Sequence, residues 1–79
     1  MLYFVVRQDG ITDELTYCGQ PCHTEEEARE LIWIKTYNAV HHEGLTLEEP
    51  VPLCFWLIDH ECGGAILETY YIFKAGREV

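Results

Sequence analysis

Residues 24–44, TEEEARELIWIKTYNAVHHEG, contain the signals that decide the fold. Thr24 stands three residues before Glu27, which is the spacing of a capping box at the start of a helix. The glutamates that follow Thr24 fall in the first helical turn, where the positive end of the helix dipole stabilises carboxylates. Gly44 suits the position just after a helix, because glycine readily adopts a left-handed conformation. We therefore predict one helix over residues 24–43.

The sequence before the helix predicts a β-hairpin over residues 1–18. Residues 2–7 are rich in aromatic and β-branched side chains, which is typical of a strand. Asp9 and Gly10 form a two-residue turn signal, because both tolerate positive φ. Residues 11–18 alternate between two faces, and this pattern predicts a second strand, antiparallel to the first.

The sequence after the helix predicts a second hairpin over residues 53–74. Residues 53–59 are almost entirely apolar, which indicates a buried strand, and residues 65–74 alternate. Residues 45–52 contain two prolines and are predicted to form a loop. The order is then β-β-α-β-β, with all 79 residues in a single domain. This is an α+β fold in which a four-stranded antiparallel sheet has one helix packed on one face.

The predicted helix has apolar side chains on two sides. At about 100° per residue, one side is expected to face the sheet. It consists of Ala28, Leu31, Ile32, Lys35 and Ala39. Trp33, Tyr37 and Val40 lie nearly opposite, and an exposed aromatic stripe there favours a binding surface or a dimer contact. The alternative is that the helix is rolled so that Trp33 and Ile34 close the edge of the core.

The charge of the chain limits its partners. Fourteen acidic residues stand against five basic ones, and the formal net charge is −9. This disfavours direct contact with nucleic acid or with an anionic membrane, because both are polyanions. A protein with a basic surface is favoured, since glutamates clustered at both ends of the helix could imitate phosphates. The alternative is that these carboxylates form a solvated surface that only keeps the protein soluble.

The cysteines and histidines raise a further hypothesis, a small zinc-stabilised module. Cys18 and Cys22 precede the helix, and His60 and Cys62 lie between the last two strands. Zinc needs four such ligands in a tetrahedron, but these spacings differ from the usual Cys-x2-Cys pair. The alternatives are unrelated free thiols or a Cys18–Cys22 disulfide.

Catalysis finds little in the sequence to support it. The chain contains no serine and no glycine-rich phosphate loop. The remaining candidate nucleophile is a cysteine activated by a nearby histidine, such as Cys62 with His60. We predict neither enzymatic activity nor a cofactor. No segment reaches the roughly 18 apolar residues that span a bilayer, and residues 1–7 are typical of a strand rather than a signal peptide. A cytoplasmic location is expected.

In size, acidity and β-β-α-β-β order, the chain resembles small phage-encoded inhibitors, notably anti-CRISPR proteins and other DNA mimics. The resemblance implies a non-enzymatic inhibitor that docks on a basic, nucleic-acid-binding groove of another protein. It implies phosphate surrogates at Glu25, Glu26, Glu30, Glu48 and Glu49, with Trp33 and Tyr37 as apolar anchors. A small homodimeric structural or adaptor protein is the alternative function.

Overall fold

The computed structural model describes residues 1–76, which form one α-helix and a five-stranded antiparallel sheet. The elements are β1 (Leu2–Asp9), β2 (Leu15–Tyr17), α1 (Glu25–His42), β3 (Thr46–Val51), β4 (Cys54–Asp59) and β5 (Ala65–Ala75). The strands lie in the order β2-β1-β5-β4-β3, and every neighbouring pair is antiparallel. The α+β class and both hairpins are confirmed. The four-stranded β-β-α-β-β layout is wrong, because a fifth strand follows the helix.

The additional strand is β3, in the segment predicted to be a loop because of its prolines. β3 forms an edge of the sheet and pairs only with β4. An edge strand tolerates proline, because one side of its backbone needs no partner. Pro50 lies where the β3–β4 register shifts, between Glu48 and Val51. Two glutamates and a proline also protect an edge against pairing with other chains.

The connection between β1 and β2 is wider than the predicted two-residue turn. The Asp9 side chain accepts hydrogen bonds from the backbone N–H groups of Ile11 and Thr12, at 2.8 and 3.0 Å. Asp13 then adopts a left-handed conformation with φ of 62°. These local bonds extend the loop through Glu14, so β2 is only three residues long.

Helix α1 begins as the sequence predicts. The Glu27 N–H donates to the Thr24 hydroxyl at 3.1 Å, and the Glu27 carboxylate accepts from the Thr24 N–H at 3.2 Å. Gly44, just past the end of the helix, has a φ of +74°. The predicted capping box and helix position are therefore confirmed.

Helix α1 packs across one face of the sheet. Its buried residues are Ala28, Ile32 and Thr36. Ala28 and Ile32 meet Val5, Phe55, Tyr70 and Ile72 of the sheet in one core cluster. The prediction that Lys35 lies on the buried side is wrong, because Lys35 is exposed and Thr36 is buried instead. The Thr36 hydroxyl donates to the Ile32 carbonyl at 2.8 Å, so its burial leaves no unpaired polar group.

Within residues 1–76, no helix combines the length and the apolar character that crossing a bilayer requires.

Candidate functional site

The outward side of α1 carries a continuous stripe of acidic and aromatic side chains. We define this outer stripe as Glu26, Glu30, Trp33, Tyr37 and His41, all exposed. At about 100° per residue they fall within an arc of about 80°. The centre of this arc lies about 140° around the helix from Ile32, which faces the core. The same roll of the helix therefore buries Ile32 and exposes the stripe.

The C-terminal half of the outer stripe is aromatic. Trp33 and Tyr37 are each 52% exposed. The rings of Tyr37 and His41 lie 4.3 Å apart between centroids, and those of Trp33 and His41 lie 6.4 Å apart. The neighbouring Ile34 is also exposed. The prediction of an exposed aromatic stripe is confirmed, and Trp33 and Ile34 do not close the core edge.

The N-terminal half of the outer stripe is negatively charged. Glu26 and Glu30 are exposed, and neither takes part in any ion pair found within residues 1–76. No cationic side chain within residues 1–76 therefore offsets these carboxylates, which share a helix face with the aromatic rings. A surface of this kind offers charge for attraction and apolar area for contact at the same place.

Two other predicted partner-binding residues, Glu25 and Glu49, are occupied within the fold. The Arg29 guanidinium donates to both Glu49 carboxylate oxygens, at 2.8 and 2.9 Å, and to Glu25 at 3.0 Å. Its central carbon also lies 5.3 Å from the centroid of the Phe55 ring. Arg29 thus joins α1 to β3 and neutralises much of the charge of both carboxylates.

The remaining predicted residue, Glu48, lies apart from the outer stripe. Side chains alternate along β3, so Glu48 points away from the side where Glu49 meets Arg29. The Glu48 carboxylate lies 3.5 Å from the imidazole of His60. The structure therefore brings together Glu26, Glu30, Trp33 and Tyr37, and leaves Glu25, Glu48 and Glu49 in other surroundings.

The Arg29–Glu49 pair makes stability depend on pH. Hydrogen bonds from Arg29 and from the Leu53 N–H lower the pKa of Glu49 below its ordinary value of 4.5. A lowered folded-state pKa stabilises the fold above the ordinary value, and this contribution is lost as pH falls toward the lowered one. At neutral pH we expect Glu49→Gln to cost about 1 kcal/mol, the upper end for an accessible ion pair.

Thermal unfolding followed by circular dichroism between neutral and acidic pH measures this effect. As pH falls from the ordinary pKa of Glu49 toward its lowered folded-state pKa, the stabilities of wild type and Glu49→Gln should converge. Glu26→Gln is the matched control, because Glu26 has no ion pair among those found within residues 1–76. A stability difference between wild type and Glu49→Gln that stays constant down to low pH would contradict the role of the pair.

The four proposed zinc ligands lie at opposite ends of the sheet. The Cys22 N–H donates to the Tyr3 carbonyl at 2.8 Å, near the C-terminal end of β5. His60 and Cys62 lie in the short 3₁₀ helix that precedes β5. β5 is eleven residues long, so the two pairs are separated by about 30 Å. Within residues 1–76 no three potential metal ligands cluster, and all four cysteines are free thiols.

The uncovered face of the sheet holds a groove whose residues the sequence interpretation did not identify. A shallow apolar groove of about 390 Å³ lies there. It is lined by Phe4, Val6, Leu15, Thr16, Tyr17 and Phe73. The alternation of β1 and β5 places these rings on the face opposite α1. The alternation in the sequence places these apolar side chains on one face of the sheet. Alternation alone does not show which of the two faces the helix covers.

No protein-family model matches the chain. Neither a curated protein nor a solved structure proved similar to it.

Proposed function

We propose that the chain is a non-enzymatic inhibitor that binds a basic protein surface through the outer stripe of α1. The observation that carries this proposal is an exposed acidic pair beside two half-exposed aromatic rings on one helix face. Glu26 and Glu30 take part in none of the ion pairs found within residues 1–76. A binding role of this kind does not depend on converging nucleophilic or acid–base groups, which an enzyme would require.

Attraction and contact are divided between the two halves of the outer stripe. The net charge of −9 steers the chain toward a cationic groove, and Glu26 and Glu30 replace phosphates there. Trp33 and Tyr37 are the anchors, because buried aromatic side chains supply much of the energy at protein interfaces. Glu25 and Glu49 stay paired with Arg29. They therefore contribute to the long-range electrostatic attraction but do not pair directly with the partner.

The biological role that we propose is blocking of a nucleic-acid-binding groove, as a phage anti-CRISPR-type protein would do. Such a groove is lined by lysine and arginine and normally receives phosphates. An acidic stripe flanked by aromatic rings has the chemistry to occupy it. The coarse resemblance in size and acidity supports this role, and the outer stripe supplies a surface for it.

Binding to an arginine-rich peptide tests the charge of the stripe. Binding is followed by tryptophan fluorescence in a Trp56→Phe background, in which Trp33 is the single tryptophan. We expect Glu26→Gln with Glu30→Gln to weaken binding about tenfold, or about 1.4 kcal/mol. Salt should weaken binding of the parent steeply.

The matched control is Glu14→Gln with Glu61→Gln, which removes two exposed charges outside the outer stripe. We expect this control to weaken binding much less. Equal losses from both pairs would mean that only net charge matters and would refute a defined binding stripe. For any partner then identified, duplex nucleic acid and the chain must compete; simultaneous binding would refute the mimicry.

A further inference from the structure

The face of the sheet opposite α1 is a second, separate apolar surface. We define this open face by six residues on β1, β2 and β5: Phe4, Val6, Leu15, Tyr17, Tyr71 and Phe73. The Phe4 and Tyr17 rings meet edge to face at 6.2 Å, and the Tyr71 and Phe73 rings stack at 5.9 Å. Leu15 and Tyr17 are 63% and 72% exposed. No element within residues 1–76 covers these rings.

Charge is almost completely segregated from the open face. The charged side chains of β1 and β5 alternate onto the other face, where Arg7 pairs with Glu68 and Asp9. Glu48, on the far edge strand, is the one acidic side chain that the described strands direct toward this side. A protein with fourteen acidic residues therefore keeps one face nearly free of them.

We propose that the open face is the contact surface of a homodimer, in which two sheets pack face to face. A basic partner or a nucleic acid would find almost no charge to pair with there. A second copy supplies the same nearly uncharged, apolar face, as the symmetry of a twofold dimer requires. Contact through the outer stripes would instead bring Glu26 and Glu30 of the two chains together, although each chain already has a net charge of −9.

The open side of the sheet approaches the size that this occupant needs. A strand spacing of about 4.8 Å and a rise of about 3.3 Å give each strand residue a footprint of roughly 16 Å². The five strands together present roughly 500 Å² in projection, and protruding rings such as Tyr17 raise the accessible area further. Each partner in a stable interface buries roughly 800 Å². Aligned sheets pack about 10 Å apart, so the rings would interdigitate.

In this dimer the two helices lie on the outside of four layers. Both outer stripes then face solvent on opposite sides, so dimerisation and partner binding use different surfaces. The dimer does not depend on the proposed function.

Sedimentation equilibrium over a range of protein concentrations tests the dimer. We expect a wild-type dimer, and Tyr17→Lys should weaken it at least tenfold by placing a charge in the apolar contact. The matched control is Tyr37→Lys, the same substitution on the outer stripe, with the same change in net charge. It should leave the dimer intact.

Salt gives an independent criterion. Screening reduces repulsion between two acidic chains, so dimer affinity should rise with salt, whereas binding to a basic partner should fall. If Tyr17→Lys does not fold by circular dichroism, Leu15→Lys takes its place on the same edge strand. A wild-type monomer at all concentrations, or dissociation by Tyr37→Lys alone, would overturn the proposal. Either result would leave the peptide-binding test of the outer stripe unaffected.

Discussion

Replacing Gly10 by alanine is expected to lower the free energy of unfolding by about 3 kcal/mol. A Cβ atom at Gly10 would lie 2.4 Å from the carbonyl oxygen of Ile66 and 2.6 Å from that of Leu67. Both atoms belong to the backbone of β5, so no side chain can rotate away. The Gly10 N–H also donates to the Leu67 carbonyl at 2.8 Å. Relieving the clash must therefore break this contact or shift a central strand.

The expected loss is a large share of the total, because a 79-residue chain has roughly 4–12 kcal/mol of stability. Urea unfolding followed by circular dichroism measures it. Gly64→Ala is the matched control: Gly64 has a φ of +80°, but a Cβ atom there would meet only open space. Gly64→Ala should lower the free energy of unfolding by about 1 kcal/mol, because only the left-handed backbone conformation disfavours alanine there. If Gly10→Ala costs no more than the control, β5 does not approach the loop as described.

The parts of the fold that were predicted correctly are those encoded by neighbouring residues. The capping box of Thr24 and Glu27 and the glycine after the helix need only local hydrogen bonds and backbone preferences, so they can be read from spacing. The hairpins follow from alternation in the same way. Gly10 shows the limit of this approach. The sequence around Gly10 suggests a glycine needed for a turn. In the structure, glycine is required at this position because β5, far along the chain, leaves no room for a Cβ atom.

Most of the errors in the prediction arise from contacts between distant residues. β3 was missed because proline argues against a strand unless that strand is known to lie at an edge. Thr36 was missed for a local reason: it is polar, and its burial is possible because its hydroxyl donates to the Ile32 carbonyl of the same helix. Arg29 and Glu49 are twenty residues apart, and nothing local pairs them. That pair removes two carboxylates from the predicted surface.

The candidate binding surface was predictable as far as it depends on helical periodicity. Glu26, Glu30, Trp33 and Tyr37 share a face because of the helix geometry alone. The sequence could not show whether that face is turned outward, since apolar side chains lie on two sides of α1. Packing against the sheet decides between them. The roll of the helix is therefore the structural fact on which the proposed function rests.

Substitution of Ile32 by alanine tests that roll and is expected to cost about 3–4 kcal/mol. Ile32 is 1% exposed and packs in the cluster with Val5, Phe55, Tyr70 and Ile72. Removing its outer atoms forfeits apolar burial and leaves a cavity, because neighbouring strands relax only partly. Chemical unfolding of wild type and variant at equal concentration gives the difference.

Ile34→Ala is the matched control, because it is the same substitution on the same helix at a side chain that is 64% exposed. Alanine has the higher helix propensity, so this variant should lie within about 0.5 kcal/mol of wild type. A reversed order, with Ile34→Ala the more damaging, would mean that the helix is rolled toward the alternative face. Trp33 would then pack against the sheet beside Ile34, and the outer stripe would not exist as a surface for any partner.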